Sequence, residues 1–398
     1  MFTFYYDGDI DRENEYEIGQ ETKRMNGNLR VGNLFGIPFY INLSWFLVLG
    51  LVTWDYGNEL GFSFPQLGGS AWILGLAAAL MLFASVLAHE LGHSFVAIRQ
   101  GIPVNSITLF IFGGLASLGE ESKTPGDAFW VAIAGPLVSI LLFVLLTLVS
   151  LFGGITGAPA AIINLVASIN LALALFNLLP GLPLDGGNAL KAIVWKITGK
   201  PYKGLAFASK AGQFLGWVGI GLGSLSLLGI SNIGSFWTLI VGWFLLQNAG
   251  RSAQAASVQE QLSGLTAADA TTPNSPVVSA ELSLREFANG HVIGNTMNWK
   301  KYLVTDADGK LIGEIAVDAM NKIPTNDWWN VQVKALVQPV EQLVTVAADL
   351  PLLEVVTLLE ERGVPTLAVL KDNVLMGLLE KDSIIKLLQK RSEEKAEA

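Results

Sequence analysis

Residues 70–99 read SAWILGLAAALMLFASVLAHELGHSFVAIR, an apolar run with no charged side chain before Glu90. About 20 apolar residues span a bilayer as a helix, so this run predicts a transmembrane helix that projects into water at one end. The run also contains His89-Glu90-Leu91-Gly92-His93. Residues four apart share a helix face, so both imidazoles can reach one cation. Ionisable residues are costly inside a membrane span and usually functional, and the motif therefore predicts a metal site.

The other members of this predicted site are a base and a third ligand. Glu90 follows His89 by about 100° of helix rotation, which favours a general base that acts on water over a ligand. The chain has no cysteine, so the third ligand must be a histidine or a carboxylate. Asp185 lies in residues 177–187, NLLPGLPLDGG, whose prolines and glycines interrupt the helix. Such backbone is tolerated at membrane depth only around a buried site or a watery cavity. Asp185 is therefore predicted to be the third ligand, and its alternative role is the cap of a short helix.

Asn177 begins the same stretch and is a candidate to hydrogen-bond the substrate or an oxyanion; a plain helix–helix contact is the alternative.

The depth of the predicted metal site follows from the position of the end of the helix that carries the histidines. His93 precedes Arg99 by six residues, which is about 9 Å at 1.5 Å per residue. Arg99 is predicted to mark the cytosolic interface. The metal is thus expected at a shallow depth, where water for hydrolysis reaches it.

Composition separates a membrane part from a soluble part. The 398 residues are 51% hydrophobic and only 15% charged, against about 25% charged in soluble domains. The net charge of −9, without a basic stripe, argues against nucleic-acid binding.

Apolar length predicts six spans, at about residues 38–55, 70–99, 126–152, 158–180, 205–229 and 233–249. Lys and Arg fall on one side of these spans, so both termini are predicted to be cytosolic. Glycines 212, 216, 219, 221 and 223 in the fifth span predict close helix packing, within the chain or between subunits.

Residues 103–121 predict a β-hairpin between the second and third spans. Ile107 to Phe112 alternate with period two, and Gly113-Gly114 follow, which is typical of strands joined by a turn. A helical substrate must unwind before its peptide bonds can be attacked. A strand edge near the metal, including Gly113 and Gly114, could hold the unwound segment by strand addition. A purely structural re-entrant hairpin is the alternative.

With these motifs the sequence resembles the site-2 protease family of intramembrane metalloproteases. The resemblance covers about residues 31–250 and is carried by the following motifs: His89 to His93, Asn177…Pro180…Leu184-Asp185-Gly186, Phe112-Gly113-Gly114, Gly135-Pro136, and Gly36-Ile37-Pro38…Ser44-Trp45. It implies one zinc per chain and cleavage of transmembrane protein substrates within the lipid bilayer. It also implies His89, His93 and Asp185 as ligands and Glu90 as the catalytic base, in agreement with the reasoning from the residues.

The soluble tail contains one layout twice: a short strand, a helix, a strand pair, and an aspartate that starts a further helix. The aspartates are Asp318 and Asp382. The tail resembles a tandem pair of cystathionine-beta-synthase (CBS) domains, which implies an α/β regulatory module, a homodimer through the pair, and adenine nucleotide held through Asp318 and Asp382. The usual phosphate-side Ser or Thr is replaced by Ala316 and Glu380. Because Glu380 would repel a phosphate, dimerisation or substrate gating is the preferred interpretation and nucleotide binding the disfavoured one.

The predicted fold class is a polytopic α-helical membrane protein with about six transmembrane helices and a β-hairpin insertion, followed by the CBS pair. The predicted parts are a polar tail (1–30), a metalloprotease domain (31–252), two CBS repeats (258–330 and 336–390) and a charged C-terminal tail (391–398). Two other hypotheses are a catalytically idle membrane scaffold and a transporter gated by the CBS pair. The intact Glu90 argues against an idle site, and no inverted repeat supports a transporter.

Overall fold

The computed structural model describes residues 27–397 apart from 112, 272–275, 294–298, 339–343 and 373. The chain divides into two compact units, residues 1–256 and 257–398. The first unit, here called the membrane unit, contains strands β1 (Asn28–Leu34), β2 (Ile37–Asn42), β3 (Val104–Phe110) and β4 (Gly113–Leu118) and helices α1 (Leu43–Ser63), α2 (Ser70–Arg99), α3 (Pro125–Phe152), α4 (Ala158–Asn177), α5 (Asp185–Thr198), α6 (Pro201–Leu227) and α7 (Phe236–Leu262), the last of which ends in the second unit.

Helices α2, α3 and α4 are long and apolar enough to cross a membrane, judged over the described residues by length and composition. Local chemistry sets their ends. Thr124 caps α3 by accepting from the Asp127 backbone N–H at 3.1 Å, and Pro125 occupies the first turn. Helix α4 ends at Asn177, three residues before Pro180, because proline cannot continue the hydrogen-bond ladder. The predicted span 158–180 is therefore shortened.

The four strands form one sheet in the order β1-β2-β3-β4. Strands β3 and β4 pair antiparallel, from Val104 opposite Leu118 to Phe110 opposite Gly113, so the predicted hairpin is present. Phe112, which belongs to the quoted motif, lies outside the described residues. Strand β2 pairs parallel to β3, and β1 pairs antiparallel to β2. The hairpin is thus one half of a larger sheet.

Strands β1 and β2 correct two predicted boundaries. The predicted first span begins at residue 38, but residues 37–42 are strand and the helix starts at Leu43. Aromatic and β-branched residues such as Phe39 and Ile41 suit a strand that pairs with β3. The predicted polar tail, residues 1–30, overlaps β1, which begins at Asn28. Residues 1–26 of that tail lie outside the described residues.

The second unit, here called the soluble unit, contains the predicted repeat. Its elements are β5 (Val277–Ser279), α8 (Leu284–Phe287), β6 (Lys301–Thr305), β7 (Leu311–Ala316), β8 (Thr345–Ala347), α9 (Leu352–Glu361), β9 (Thr366–Lys371), β10 (Val374–Glu380) and α10 (Lys381–Glu397). Strand β5 pairs parallel to β6 and β6 antiparallel to β7; β8, β9 and β10 pair in the same way. Leu303, Ala368, Leu375 and Leu378 form one buried cluster between the two sheets.

Candidate metal centre

Helix α2 carries both histidines of the motif, and the helix break before α5 brings Asp185 to them. The Asp185 Oδ2 atom lies 3.0 Å from His89 Nε2 and 3.3 Å from His93 Nε2. Both histidine residues are buried, at 3% and 9% exposure. The donor atoms all lie within 4.8 Å of one another. Two ligands about 2.0–2.1 Å from a tetrahedral zinc stand about 3.3 Å apart. The donor set and its spacing therefore fit a zinc ion with one open position.

Helix α3 orients the two imidazole rings through contacts with their Nδ1 atoms. His93 Nδ1 lies 2.6 Å from the Val131 carbonyl oxygen, which can only accept, so Nδ1 carries the proton. The Nε2 lone pair of His93 is thereby directed at the metal position. His89 Nδ1 lies 2.9 Å from Ser139 Oγ, which holds its Nε2 in the same direction. Such contacts fix the tautomer and the ring plane of metal-binding histidines.

The loop before Asp185 is held by backbone packing. The Leu182 N–H donates to the Ala208 carbonyl of α6 at 3.1 Å. A Cβ at Gly212 would lie only 3.0 Å from the Leu182 nitrogen, and a Cβ at Gly186 would lie 2.5 Å from the Leu179 oxygen. No side chain larger than hydrogen fits at either point. Gly212 lets α6 approach the loop closely, and Gly186 lets the first turn of α5 approach Leu178 and Leu179, so that the Asp185 carboxylate lies beside the histidines.

One cavity of about 590 Å³ joins the remaining predicted site residues. It is lined by His89, Glu90, His93, Gly113, Gly114, Asn177 and Asp185, among others. The backbone N–H of Ala116 on β4 interacts with the Glu90 carboxylate. Residues 119–122 and the α5 residue Lys191 also line the cavity, and Lys191 Nζ lies 3.2 Å from Glu121 Oε2. The cavity therefore connects the metal position with charged side chains.

Three contributors to this site were not predicted from the sequence: the Val131 carbonyl, the Ser139 hydroxyl and Gly135. Gly135 belonged to a quoted motif, but nothing in the sequence indicated its contact with the histidines. Val131 acts through its backbone, so its identity carries no signal. Ser139 is a small polar residue in an apolar helix and is fully buried. A polar residue within an apolar run is the one sequence signal that could have suggested a role.

The glycines of the fifth predicted span pack within the chain. Gly212 faces Leu182, and Gly216, Gly219 and Gly223 face α7, whereas a Cβ at Gly221 would meet no atom within 4 Å. The alternative left open by the sequence, packing within the chain or between subunits, is thus decided for four of the five.

The structure places Asp318 and Asp382 in different repeats of the soluble unit. Asp318 is exposed and lines a cavity of about 680 Å³ together with Trp299, Lys300 and Tyr302. Asp382 is exposed in the first turn of α10. Neither aspartate belongs to the candidate metal centre, which lies in the membrane unit.

Comparison with known proteins identifies the family. The profile of Peptidase family M50 matches residues 77–160 and 155–219, and that of the CBS domain matches residues 333–390, the second repeat. The chain is 58% identical over 367 residues to "Putative zinc metalloprotease sll0528" of Synechocystis sp., covering 92% of this chain and 96% of that protein. It is 33% identical over 350 residues to "Putative zinc metalloprotease Rip3" of Mycobacterium tuberculosis, covering 86% of each.

Among solved structures, the site-2 protease from Methanocaldococcus jannaschii aligns with 28% identity and a TM-score of 0.41, over 57% of this chain and 95% of that chain. The names of the relatives imply zinc, which the His-His-Asp donor set suits. The resemblances stated from the motifs are therefore confirmed: the chain belongs to Peptidase family M50, the site-2 protease family, and carries a CBS domain.

Proposed function

We propose that this chain is an intramembrane zinc endopeptidase that hydrolyses peptide bonds within or near transmembrane segments of membrane proteins. One observation carries the proposal: His89 and His93, on a helix apolar enough to cross a membrane, converge with Asp185 beside Glu90 in a single cavity. In the proposed arrangement the first three hold zinc and Glu90 is the general base.

The chemistry divides between the metal and the chain. Zinc supplies a Lewis acid that polarises the peptide carbonyl and acidifies water. Glu90 accepts the proton of the attacking water and returns it to the departing amine nitrogen. The Ala116 N–H orients the Glu90 carboxylate for this transfer. Asn177 lines the cavity and offers an amide to hydrogen-bond the substrate carbonyl or the developing oxyanion.

Strand β4 is the proposed substrate-binding edge. It ends the sheet order β1-β2-β3-β4, so among the described strands it pairs only with β3. Gly113 and Gly114, at its start, line the cavity together with Glu90. An unwound substrate segment adding to this edge would lie with its peptide bonds beside the metal position. Strand addition also supplies the hydrogen bonds that the substrate loses when its helix unwinds.

The proposed topology has six spans, with both termini cytosolic. Helices α2, α3 and α4 supply three of them, and α1, α6 and α7 overlap the other three apolar stretches. The distribution of Lys and Arg between the connecting loops supports the orientation. Substrates would then be clipped close to the cytosolic face, which suits the release of membrane-tethered regulators.

The soluble unit is proposed to regulate cleavage and to support a homodimer through the CBS pair. Nucleotide binding is the less favoured role. Glu380 ends β10 two residues before Asp382, where its negative charge opposes a phosphate. Asp318 lies in a cavity with Lys300 and Trp299, so the first repeat is the better place for any nucleotide.

The test compares the parent protein with Glu90→Gln, both purified in detergent. We expect about one zinc in each protein by metal analysis. We expect cleavage of a tagged panel of single-span helices to fall by about 10²- to 10⁴-fold in the variant, because the base is lost. Zinc in both proteins with no cutting by the parent on any panel member would favour the idle scaffold. Absence of zinc from both would remove the site and favour the CBS-gated transporter.

A further inference from the structure

Gly135 of α3 lies so close to the imidazole rings of His89 and His93 that any side chain at this position would clash with them. A Cβ built at Gly135 would lie 2.6 Å from His93 Cε1 and 2.7 Å from His89 Nε2, and real Cβ atoms essentially never approach closer than 3.0 Å. The atoms it would strike include the nitrogen aimed at the metal position. Gly135 is therefore a gap in α3 that both imidazoles occupy.

The position of Gly135 on α3 supports this interpretation. Val131, Gly135 and Ser139 are spaced four apart and share one helix face. Val131 and Ser139 hydrogen-bond to the two rings, at His93 Nδ1 and His89 Nδ1 respectively. Gly135 lies between these two contacts, so the rings can reach both partners only because the middle position lacks a side chain.

Gly114 of β4 has the same relation to the base. A Cβ there would lie 2.8 Å from Glu90 Cδ and 2.9 Å from Glu90 Oε1, so the carboxylate itself would have to move. Ala116, two residues along the same strand, interacts with this carboxylate through its backbone N–H. The Glu90 side chain therefore packs against the backbone at the start of strand β4.

We propose that Gly135 and Gly114 are positioning residues: Gly135 sets the two imidazoles for the metal, and Gly114 sets the Glu90 carboxylate for proton transfer. Gly75 of α2 is also tightly packed but differs in what a Cβ there would meet. A Cβ at Gly75 would meet the Thr53 carbonyl oxygen at 2.8 Å and the Gly57 Cα at 2.9 Å, which are backbone atoms of α1. The proposal rests on the proposed function for the assignment of Glu90, but its contacts are independent of it.

The metal half is tested with Gly135→Ala in the full-length protein. We expect zinc affinity to fall by about 10- to 100-fold, the usual loss when the residues that orient a ligand are changed. The spectrum of the cobalt-substituted variant should also differ from that of the parent, because the rings are displaced. Two controls separate position from packing. Gly221→Ala meets no atom and should change nothing, and Gly75→Ala should lower the melting temperature but leave zinc affinity and the cobalt spectrum of the folded protein unchanged.

The base half is tested with Gly114→Ala. We expect zinc affinity close to that of the parent and kcat lower by about 100-fold, because a shift of about 1 Å in a reacting group costs that much. A second measurement needs no activity. Gly114→Ala should lower the melting temperature when Glu90 is present and not in a Glu90→Ala background, where the struck atoms are absent.

Parental zinc affinity and cobalt spectrum in Gly135→Ala, or equal losses in Gly75→Ala, would overturn the metal half. Equal destabilisation by Gly114→Ala in both Glu90 backgrounds would overturn the base half, as would parental kcat. If the parent cuts no substrate, the proposed function fails, while zinc affinity, cobalt spectra and melting temperatures still decide the two glycines.

Discussion

The two units of this protein differ in the sequence features that indicate their structure and function. In the membrane unit a few polar side chains, His89, Glu90, His93 and Asp185, meet in one cavity within otherwise apolar helices. In the soluble unit polar side chains are abundant, and what stands out is a layout of strands and helices that occurs twice. The difference follows from the solvent. An ionisable group inside a membrane span is costly and therefore informative, whereas one exposed to water on a soluble domain costs little and indicates little.

The soluble repeats also differ from each other, although their strands pair alike. Helix α9 of the second repeat has ten residues, whereas α8 of the first has four and continues as a π-helical turn over residues 288–292. The CBS profile matches the second repeat, residues 333–390. A shared topology therefore survives a local sequence that has diverged, because the buried clusters of each repeat need only apolar residues of suitable size.

The largest expected effect is the loss of a metal ligand. Asp185→Ala removes the only carboxylate of the donor set, so zinc affinity should fall by more than the 10- to 100-fold typical of indirect changes. Cleavage should be lost with it. Asp318→Ala, in the soluble unit, is the matched control and should keep one zinc. Metal analysis and competition with a chelator measure both, and retention of parental affinity by Asp185→Ala would contradict the ligand assignment.

Ser139→Ala sharpens the comparison within the membrane unit. It removes the hydroxyl 2.9 Å from His89 Nδ1, so zinc affinity should fall by about 10- to 100-fold. Ser209→Ala is the control, because Ser209 is equally buried but donates to the Leu205 carbonyl of its own helix at 2.7 Å. Competition titrations with a chelator compare the two variants. Equal zinc affinities would mean that Ser139 does not orient the ring.

Core truncation of the soluble unit should separate stability from chemistry. Leu367 and Leu379 are fully buried in the cluster of the second repeat. Truncation of either to alanine should cost about 2–5 kcal/mol of unfolding free energy for that unit. Zinc affinity should stay at the parental value, since the candidate metal centre lies in the other unit. Denaturant unfolding and metal analysis test the two statements separately, and a variant that loses zinc while still folded would break the contrast between the units.

The smallest expected effect concerns Glu286 in the first repeat. The Ser283 backbone N–H donates to the Glu286 carboxylate at 2.9 Å, and the Ser283 hydroxyl donates to the same carboxylate at 2.8 Å. These hydrogen bonds lower the pKa of Glu286. A lowered folded-state pKa gives stability that is present above the ordinary Glu pKa of about 4.3 and is lost as pH falls through the lowered value.

Glu286→Gln should therefore flatten the acid side of the stability curve of the soluble unit slightly. Melting temperatures of the full-length protein between neutral and acidic pH measure this change. The effect should be small because the Glu286 carboxylate is fully exposed to water. Glu281→Gln, at a nearby exposed carboxylate, is the control. An unchanged pH dependence in Glu286→Gln would show that the capping hydrogen bonds do not persist in solution.

Several features followed from local sequence because their causes are local. A spacing of four residues places His89 and His93 on one helix face, and the apolar length of residues 70–99 predicts the helix that carries them. The period-two pattern predicted the β3–β4 hairpin. The strand pair at residues 28–42 was missed in part because β2 is as apolar as a span, and only its pairing with β3 distinguishes the two.

By itself, the sequence determined the helix that bears the motif, the break that precedes Asp185, the repeated layout of the soluble unit and the family. Only the tertiary structure decided that the Val131 carbonyl and Ser139 face the histidines, that Gly135 and Gly114 lack side chains where His93 and Glu90 lie, and that Gly212 packs on Leu182. The physical reason is range. Helix periodicity fixes which residues share a face over a few turns, whereas contacts between residues 38 to 50 positions apart depend on how whole helices pack.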